Sequence, residues 1–124
     1  MKILSTGRIM IRASLLTGLA LCASQQVSAH AALQSSTPAA DSTVGSPKNI
    51  KLHFSEALSP KLTRITLKSG DGATQPITPI QSNDPATVTF MPNTSLSKGQ
   101  YTVSWSVVAN DGHKTQGSFN FTVQ

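Results

Sequence analysis

The chain has 124 residues, which is enough for one domain. Hydrophobic residues make up 38% and charged residues 12%, a balance that permits a small core and excludes a charge-driven disordered chain. The formal net charge is +5, but Lys2, Arg8 and Arg12 all precede the first acidic residue. The remaining basic residues are scattered and are not interleaved with aromatic residues, so no nucleic-acid partner is expected.

The first 29 residues have the order of a secretory signal peptide. Basic residues are followed by an uncharged, mostly apolar run over 13–23 and then by Val27-Ser28-Ala29. That run is shorter than the roughly 20 apolar residues of a transmembrane helix. We therefore expect secretion with cleavage between Ala29 and His30, which leaves 30–124 as the mature domain. The alternatives are a retained amphipathic helix and a lipoprotein cut before Cys22, although the leucine before that cysteine fits a lipoprotein signal poorly.

The mature chain predicts short β-strands and no helix. Apolar and polar residues alternate in several runs, which is typical of half-buried strands. In chain order the clearest runs are Ile50–Phe54, Leu62–Lys68, Thr87–Met91, Tyr101–Val107 and Phe119–Val123. Pro76 and Pro79 reduce the segment around Ile77 to an edge strand or a loop, because proline cannot donate to a sheet.

About seven short strands separated by turns indicate a small all-β sandwich or barrel. The last two strands form a hairpin with residues 109–115 as its loop. His53 alternates with apolar residues, so we expect it to face solvent. The expected core consists of Leu33, Val44, Ile50, Leu52, Phe54, Ile65, Leu67, Val88, Phe90, Tyr101, Val103, Trp105, Val107, Phe119, Phe121 and Val123.

His30 is the first candidate metal ligand, because cleavage after Ala29 gives it a free α-amine beside its imidazole. Both nitrogens can bind one metal ion, and an α-amine with a pKa of about 8 yields its proton to a metal near neutral pH. The alternative is an exposed residue at a frayed terminus. The only cysteine, Cys22, lies in the signal, so the mature chain has no thiolate ligand and no disulfide.

Asp111 and His113 are the second candidate element. Residues two apart in an extended segment project to the same side, and Gly112 allows a bend between them, so a carboxylate and an imidazole face one point. The alternative is a plain turn, because Asn-Asp-Gly is itself a turn sequence. With His30 these groups offer three nitrogens and one oxygen, a set that favours tetragonal Cu(II), although Zn(II) can bind the same atoms tetrahedrally.

Three segments resemble the CopC family of periplasmic copper-binding proteins. The first is His30–Asp41, the second is Leu52–Glu56, and the third runs from Gly99 to Gly117 and contains the Tyr101–Trp105 strand and the Asp-Gly-His motif. They occur in the family's order from the first mature residue almost to the last. The chain is most similar to the short stand-alone YobA-type members, which also carry an Asp-Gly-His-Lys-Thr loop.

The resemblance implies a Greek-key, immunoglobulin-like β-sandwich or barrel that binds copper in the periplasm and is not an enzyme. One Cu(II) per mature chain is implied, bound by the amine and imidazole of His30 together with Asp111 and His113. Glu56 is implied to lie near the site, where we expect it to orient a ligand, the alternative being a solvated acid at a strand end. A carrier or buffer in copper homeostasis or resistance, a CopD-type inner-membrane copper transporter as partner, and a monomeric state are the further expectations.

Two other functions compete with the copper carrier. Lytic polysaccharide monooxygenases also bind copper at an N-terminal histidine, so a small copper-dependent oxidase or monooxygenase is the alternative. The sequence offers no aromatic-rich surface for a polysaccharide, and Asp111 would fill a coordination position that oxygen chemistry needs open. A structural or adhesive domain without metal is the third hypothesis, and it predicts no stabilisation by Cu(II). The loop from Ser69 to Pro85 contains no methionine, so no separate Cu(I) site is expected there.

Overall fold

The computed structural model describes residues 31–124, so the expected signal peptide, its cleavage point and His30 lie outside the described residues. The strands are β1 (Leu33–Thr37), β2 (Thr43–Val44), β3 (Ile50–Phe54), β4 (Arg64–Ser69), β5 (Thr74–Gln75), β6 (Ile77–Ile80), β7 (Thr87–Pro92), β8 (Gly99–Val108) and β9 (Lys114–Val123). One 3-10 helix, Pro60–Leu62, connects β3 to β4. Among residues 31–124, no helix has the length and apolar character that a membrane span requires.

The strands form two sheets, one in the order β1-β3-β7-β6 and the other in the order β2-β9-β8-β4-β5. The chain passes repeatedly from one sheet to the other, as in Greek-key sandwiches. Neighbouring strands are antiparallel except for the parallel pair β2 and β9. Two of the strands, β2 and β5, have only two residues each. The longer strands match the expected number, and the predicted all-β sandwich is confirmed.

The core lies between the two sheets because alternate residues of each strand point inward. The predicted core residues that are buried are Ile50, Leu52, Phe54, Leu67, Phe90, Tyr101, Val103, Val107, Phe119, Phe121 and Val123. The predicted residues that pack against this cluster and are only partly buried are Leu33, Val44, Ile65, Val88 and Trp105. The alternation missed four buried residues, Ala31, Leu58, Leu96 and Ala109, which lie outside the strands.

Two element boundaries differ from those predicted. The strand expected to begin at Leu62 begins at Arg64, because the chain first turns through the 3-10 helix and leaves the Leu62 side chain 53% exposed. The hairpin loop is shorter than expected and spans 109–113, because β9 begins at Lys114. The strand around Ile77 lies at the edge of its sheet, as the two prolines predicted.

Candidate metal centre

The loop between β8 and β9 carries Asp111 and His113 as a contacting pair. Gly112 has a φ of +88°, a left-handed conformation that glycine adopts without strain, and this turns the chain between them. Nδ1 of His113 lies 3.0 Å from Oδ2 of Asp111, and the backbone N–H of His113 donates to Oδ1 of Asp111 at 2.9 Å. The side chains are 56% exposed for His113 and 36% exposed for Asp111, so solvent and ions reach both.

Backbone contacts hold this loop in place from two sides. Within the loop, the N–H of Ala109 donates to the carbonyl oxygen of His113 at 3.0 Å. From outside, Ala109 forms a β-bridge with Leu58, and the N–H of Asn110 donates to the carbonyl oxygen of Ala57 at 3.1 Å. The position of the Asp111–His113 pair is therefore set by main-chain bonds to the segment that follows β3.

The start of the described chain lies beside the same loop. The hydroxyl of Thr115, at the beginning of β9, donates to the carbonyl oxygen of Ala31 at 2.7 Å. The N–H of Ser55 donates to the carbonyl oxygen of Ala32 at 2.8 Å, and Oγ of Ser55 accepts from the N–H of Ala32 at 2.8 Å. Ala31 is 1% exposed. These bonds hold Ala31 at the start of β9, two residues after His113, and hold Ala32 at the residue that follows β3.

Glu56 belongs to the segment that joins the loop and the N-terminal residues. Its neighbour Ser55 is hydrogen-bonded through the backbone to Ala32, and its other neighbour Ala57 accepts a backbone hydrogen bond from Asn110. Its side chain is partly buried. Within residues 31–124, no three side chains of His, Cys, Asp or Glu lie close enough together to hold a metal ion, so Glu56 does not form a three-ligand group with Asp111 and His113.

A second histidine–aspartate contact lies on the outer face of the four-stranded sheet. His53 is 40% exposed there, as the alternation predicted. Its Nδ1 lies 2.9 Å from Oγ1 of Thr87 and 3.4 Å from Oδ2 of Asp84, and the Thr87 hydroxyl donates to that same carboxylate oxygen at 2.7 Å. The N–H of Ala86, the Thr87 hydroxyl and the charge on His53 hold the pKa of Asp84 below its ordinary value. The sequence did not predict this contact, because β3 and β7 meet only in the folded sheet.

Comparison with known proteins identifies the family. The CopC domain family matches residues 33–124. Copper resistance protein C of Escherichia coli is 34% identical over an alignment 125 positions long, which covers 94% of this chain and 98% of that protein. Protein YobA of Escherichia coli strain K12 is 34% identical over 99 residues, which cover 77% of this chain and 80% of that protein.

Solved structures resemble this chain in both fold and sequence. The crystal structure of PcoC, a methionine-rich copper resistance protein from Escherichia coli, is similar with a TM-score of 0.71 and 34% identity. The similarity covers 77% of this chain and all of that one, at 100%. The chain therefore belongs to the CopC domain family.

Proposed function

We propose that the mature protein binds one Cu(II) ion in the periplasm and carries or buffers it in copper homeostasis or resistance. The observation that carries this proposal is the Asp111–His113 pair beside the anchored residue Ala31. Cleavage after Ala29 makes His30 the first residue, and consecutive Cα atoms are about 3.8 Å apart. We therefore expect the amine and imidazole of a chain that begins at His30 to lie within reach of the hairpin loop.

The donor set suits Cu(II). His30 supplies two nitrogens, His113 supplies one, and Asp111 supplies an oxygen whose negative charge offsets one of the two charges on the metal. Three nitrogens and one oxygen favour the tetragonal geometry of Cu(II). Binding displaces protons from the amine and from any protonated imidazole, and it ties the N-terminus to the loop.

Glu56 supports this ligand set without belonging to it in our proposal. Its two neighbours bond the N-terminal segment and the loop. A carboxylate in that position accepts a hydrogen bond from the terminal amine or from a ligand imidazole and so orients it. This role predicts a smaller effect on affinity than the loss of a ligand.

The relatives support copper as the cargo. Copper resistance protein C and PcoC are both named for copper resistance. From the family resemblance we propose that a CopD-type inner-membrane copper transporter is the partner that exchanges the ion with this protein. We take this protein itself to act as a monomer. We assign no catalytic step to it, because Asp111 would take a coordination position that oxygen chemistry needs open.

The test compares two purified forms that both begin at His30, one with a free terminal amine and one in which that amine is acetylated. Cu(II) is titrated into each form against a competing chelator. Acetylation converts the amine to an amide, which is a poor ligand, so we expect the affinity to fall by at least about 100-fold. Equal affinities would show that the terminal amine is not a ligand and would overturn the proposal.

A further inference from the structure

We infer that Thr115 is a positioning residue for the N-terminal copper ligands and that it acts through Ala31. This inference rests on the proposed function. The hydroxyl of Thr115 donates to the carbonyl oxygen of Ala31 at 2.7 Å. Thr115 follows His113 by two residues and lies in β9, the strand that leaves the ligand loop. One hydrogen bond thus links the residue after His30 to the strand that begins directly after His113.

Ser55 completes the anchor from the opposite sheet. It directly follows β3. Its N–H donates to the carbonyl oxygen of Ala32, and its Oγ accepts from the N–H of Ala32, each at 2.8 Å. Ala31 is therefore held by Thr115 of the five-stranded sheet, and Ala32 is held by Ser55, the residue that follows a strand of the four-stranded sheet. Because three hydrogen bonds fix two consecutive residues, the backbone at Ala31 has a defined position relative to Asp111 and His113.

The anchor matters because copper bridges the terminus and the loop. A terminus that is already held beside the loop loses less conformational freedom when the ion binds, and the affinity is higher by that amount. The carbonyl oxygen of Ala31 belongs to a residue that is 1% exposed, so without the Thr115 hydroxyl it must move to find another partner. Such a movement displaces the residue that precedes it in the chain, which carries the two terminal nitrogens.

Thr115→Val removes the hydroxyl and keeps the branched shape. We expect it to weaken Cu(II) binding about tenfold, the lower end of the effect of removing a group that orients a metal ligand. Thr115→Ser retains the hydroxyl and restores the affinity. Thr102→Val is the matched control. The Thr102 hydroxyl donates to Oδ1 of Asn120 at 2.7 Å, a bond that joins β8 to β9 far from the loop. The control leaves the affinity unchanged.

The experiment is a double-mutant cycle with Cu(II) alone under a competing chelator. It uses the form with a free amine at His30 and the form in which that amine is acetylated, each with and without Thr115→Val. The substitution costs about tenfold in the first form and nothing in the second, in which the terminal amine no longer binds the metal. A cost that is equal in both forms, or absent from both, overturns the inference.

Two further results separate this inference from the proposed function. If acetylation of the amine itself costs nothing, the N-terminal site is wrong and the inference falls with it. If acetylation is costly and Thr115→Val is not, the site stands and only the positioning role is wrong. Should Thr115→Val fail to fold, Ser55→Ala tests the same anchor from the other side and is expected to show the same loss, confined to the form with a free amine.

Discussion

The indole ring of Trp105 occupies the space that a side chain at Gly117 would take on the neighbouring strand. A Cβ at Gly117 would lie 2.5 Å from Cζ2 of Trp105, closer than real Cβ contacts allow. The indole also packs edge-on against Phe54, with ring centroids 5.2 Å apart. Its Nε1 is buried and has no hydrogen-bond partner within residues 31–124. Trp105 of β8 therefore packs tightly against both Gly117 of β9 and Phe54 of β3, which lies in the other sheet.

Gly117→Ala should destabilise the protein by about 2 kcal/mol, because the added methyl group forces the indole away from Phe54. Urea unfolding at equilibrium measures the change in free energy. Gly45→Ala is the control, since a Cβ at Gly45 would meet no atom within 4 Å, and its effect should stay within about 0.5 kcal/mol. Similar losses in both variants would mean that the contact with the indole is not the cause.

The proposed copper ligands predict a graded series of affinities. His113→Ala removes a nitrogen donor, and Asp111→Asn replaces a charged oxygen donor with a neutral and weaker one. Each should lower the Cu(II) affinity more than about 100-fold, whereas Glu56→Gln should cost about tenfold. His53→Ala, which removes a histidine on the outer face of the other sheet, should leave the affinity unchanged. Competition with a chelator measures all four variants. If Glu56→Gln abolished binding and Asp111→Asn did not, the roles of the two carboxylates would have to be exchanged.

The parts of this molecule that sequence could predict are those with a local pattern. Alternation along β8 and β9 identified their buried faces, and Asp111 and His113 share one turn, so their contact needed no knowledge of the fold. The bond between Thr115 and Ala31 joins the two ends of the domain. No periodicity in the sequence marks such a contact, because it depends on how the sheets stack.

Leu58 shows the same limit in the core. It lies in the irregular segment after β3, where no alternation signals burial, yet it is 5% exposed and forms a bridge with Ala109. Its burial follows from the fold, which places that segment against the loop between β8 and β9. The sequence therefore predicted the strands well and missed the connections that support the site.

Leu58→Ala should destabilise the protein by about 3 kcal/mol, because it removes a buried side chain and leaves a cavity next to the loop. Leu62→Ala makes the same chemical change at a side chain that is 53% exposed, and its effect should stay within about 0.5 kcal/mol. Equilibrium denaturation of the two variants side by side measures the difference. A loss at Leu58 no larger than that at Leu62 would contradict the packing described above.

Two carboxylates make the folded state sensitive to acid. The Ser69 hydroxyl and the backbone N–H of Ala73 lower the pKa of Asp71, and the N–H of Ala86 with the Thr87 hydroxyl lowers the pKa of Asp84. Both values lie below the ordinary 3.8. The unfolded chain therefore takes up these protons at a higher pH than the folded chain. The stabilisation is fully present above the ordinary value and is lost as the pH falls through the lowered values.

The double variant Asp71→Asn, Asp84→Asn should accordingly lose less stability than the wild type when the pH is lowered from about 5 to about 2. Urea midpoints measured across that range give the slope for each protein. If the double variant kept the wild-type slope, the hydrogen bonds to Asp71 and Asp84 would contribute nothing to stability, and the acid sensitivity would have to arise at other carboxylates.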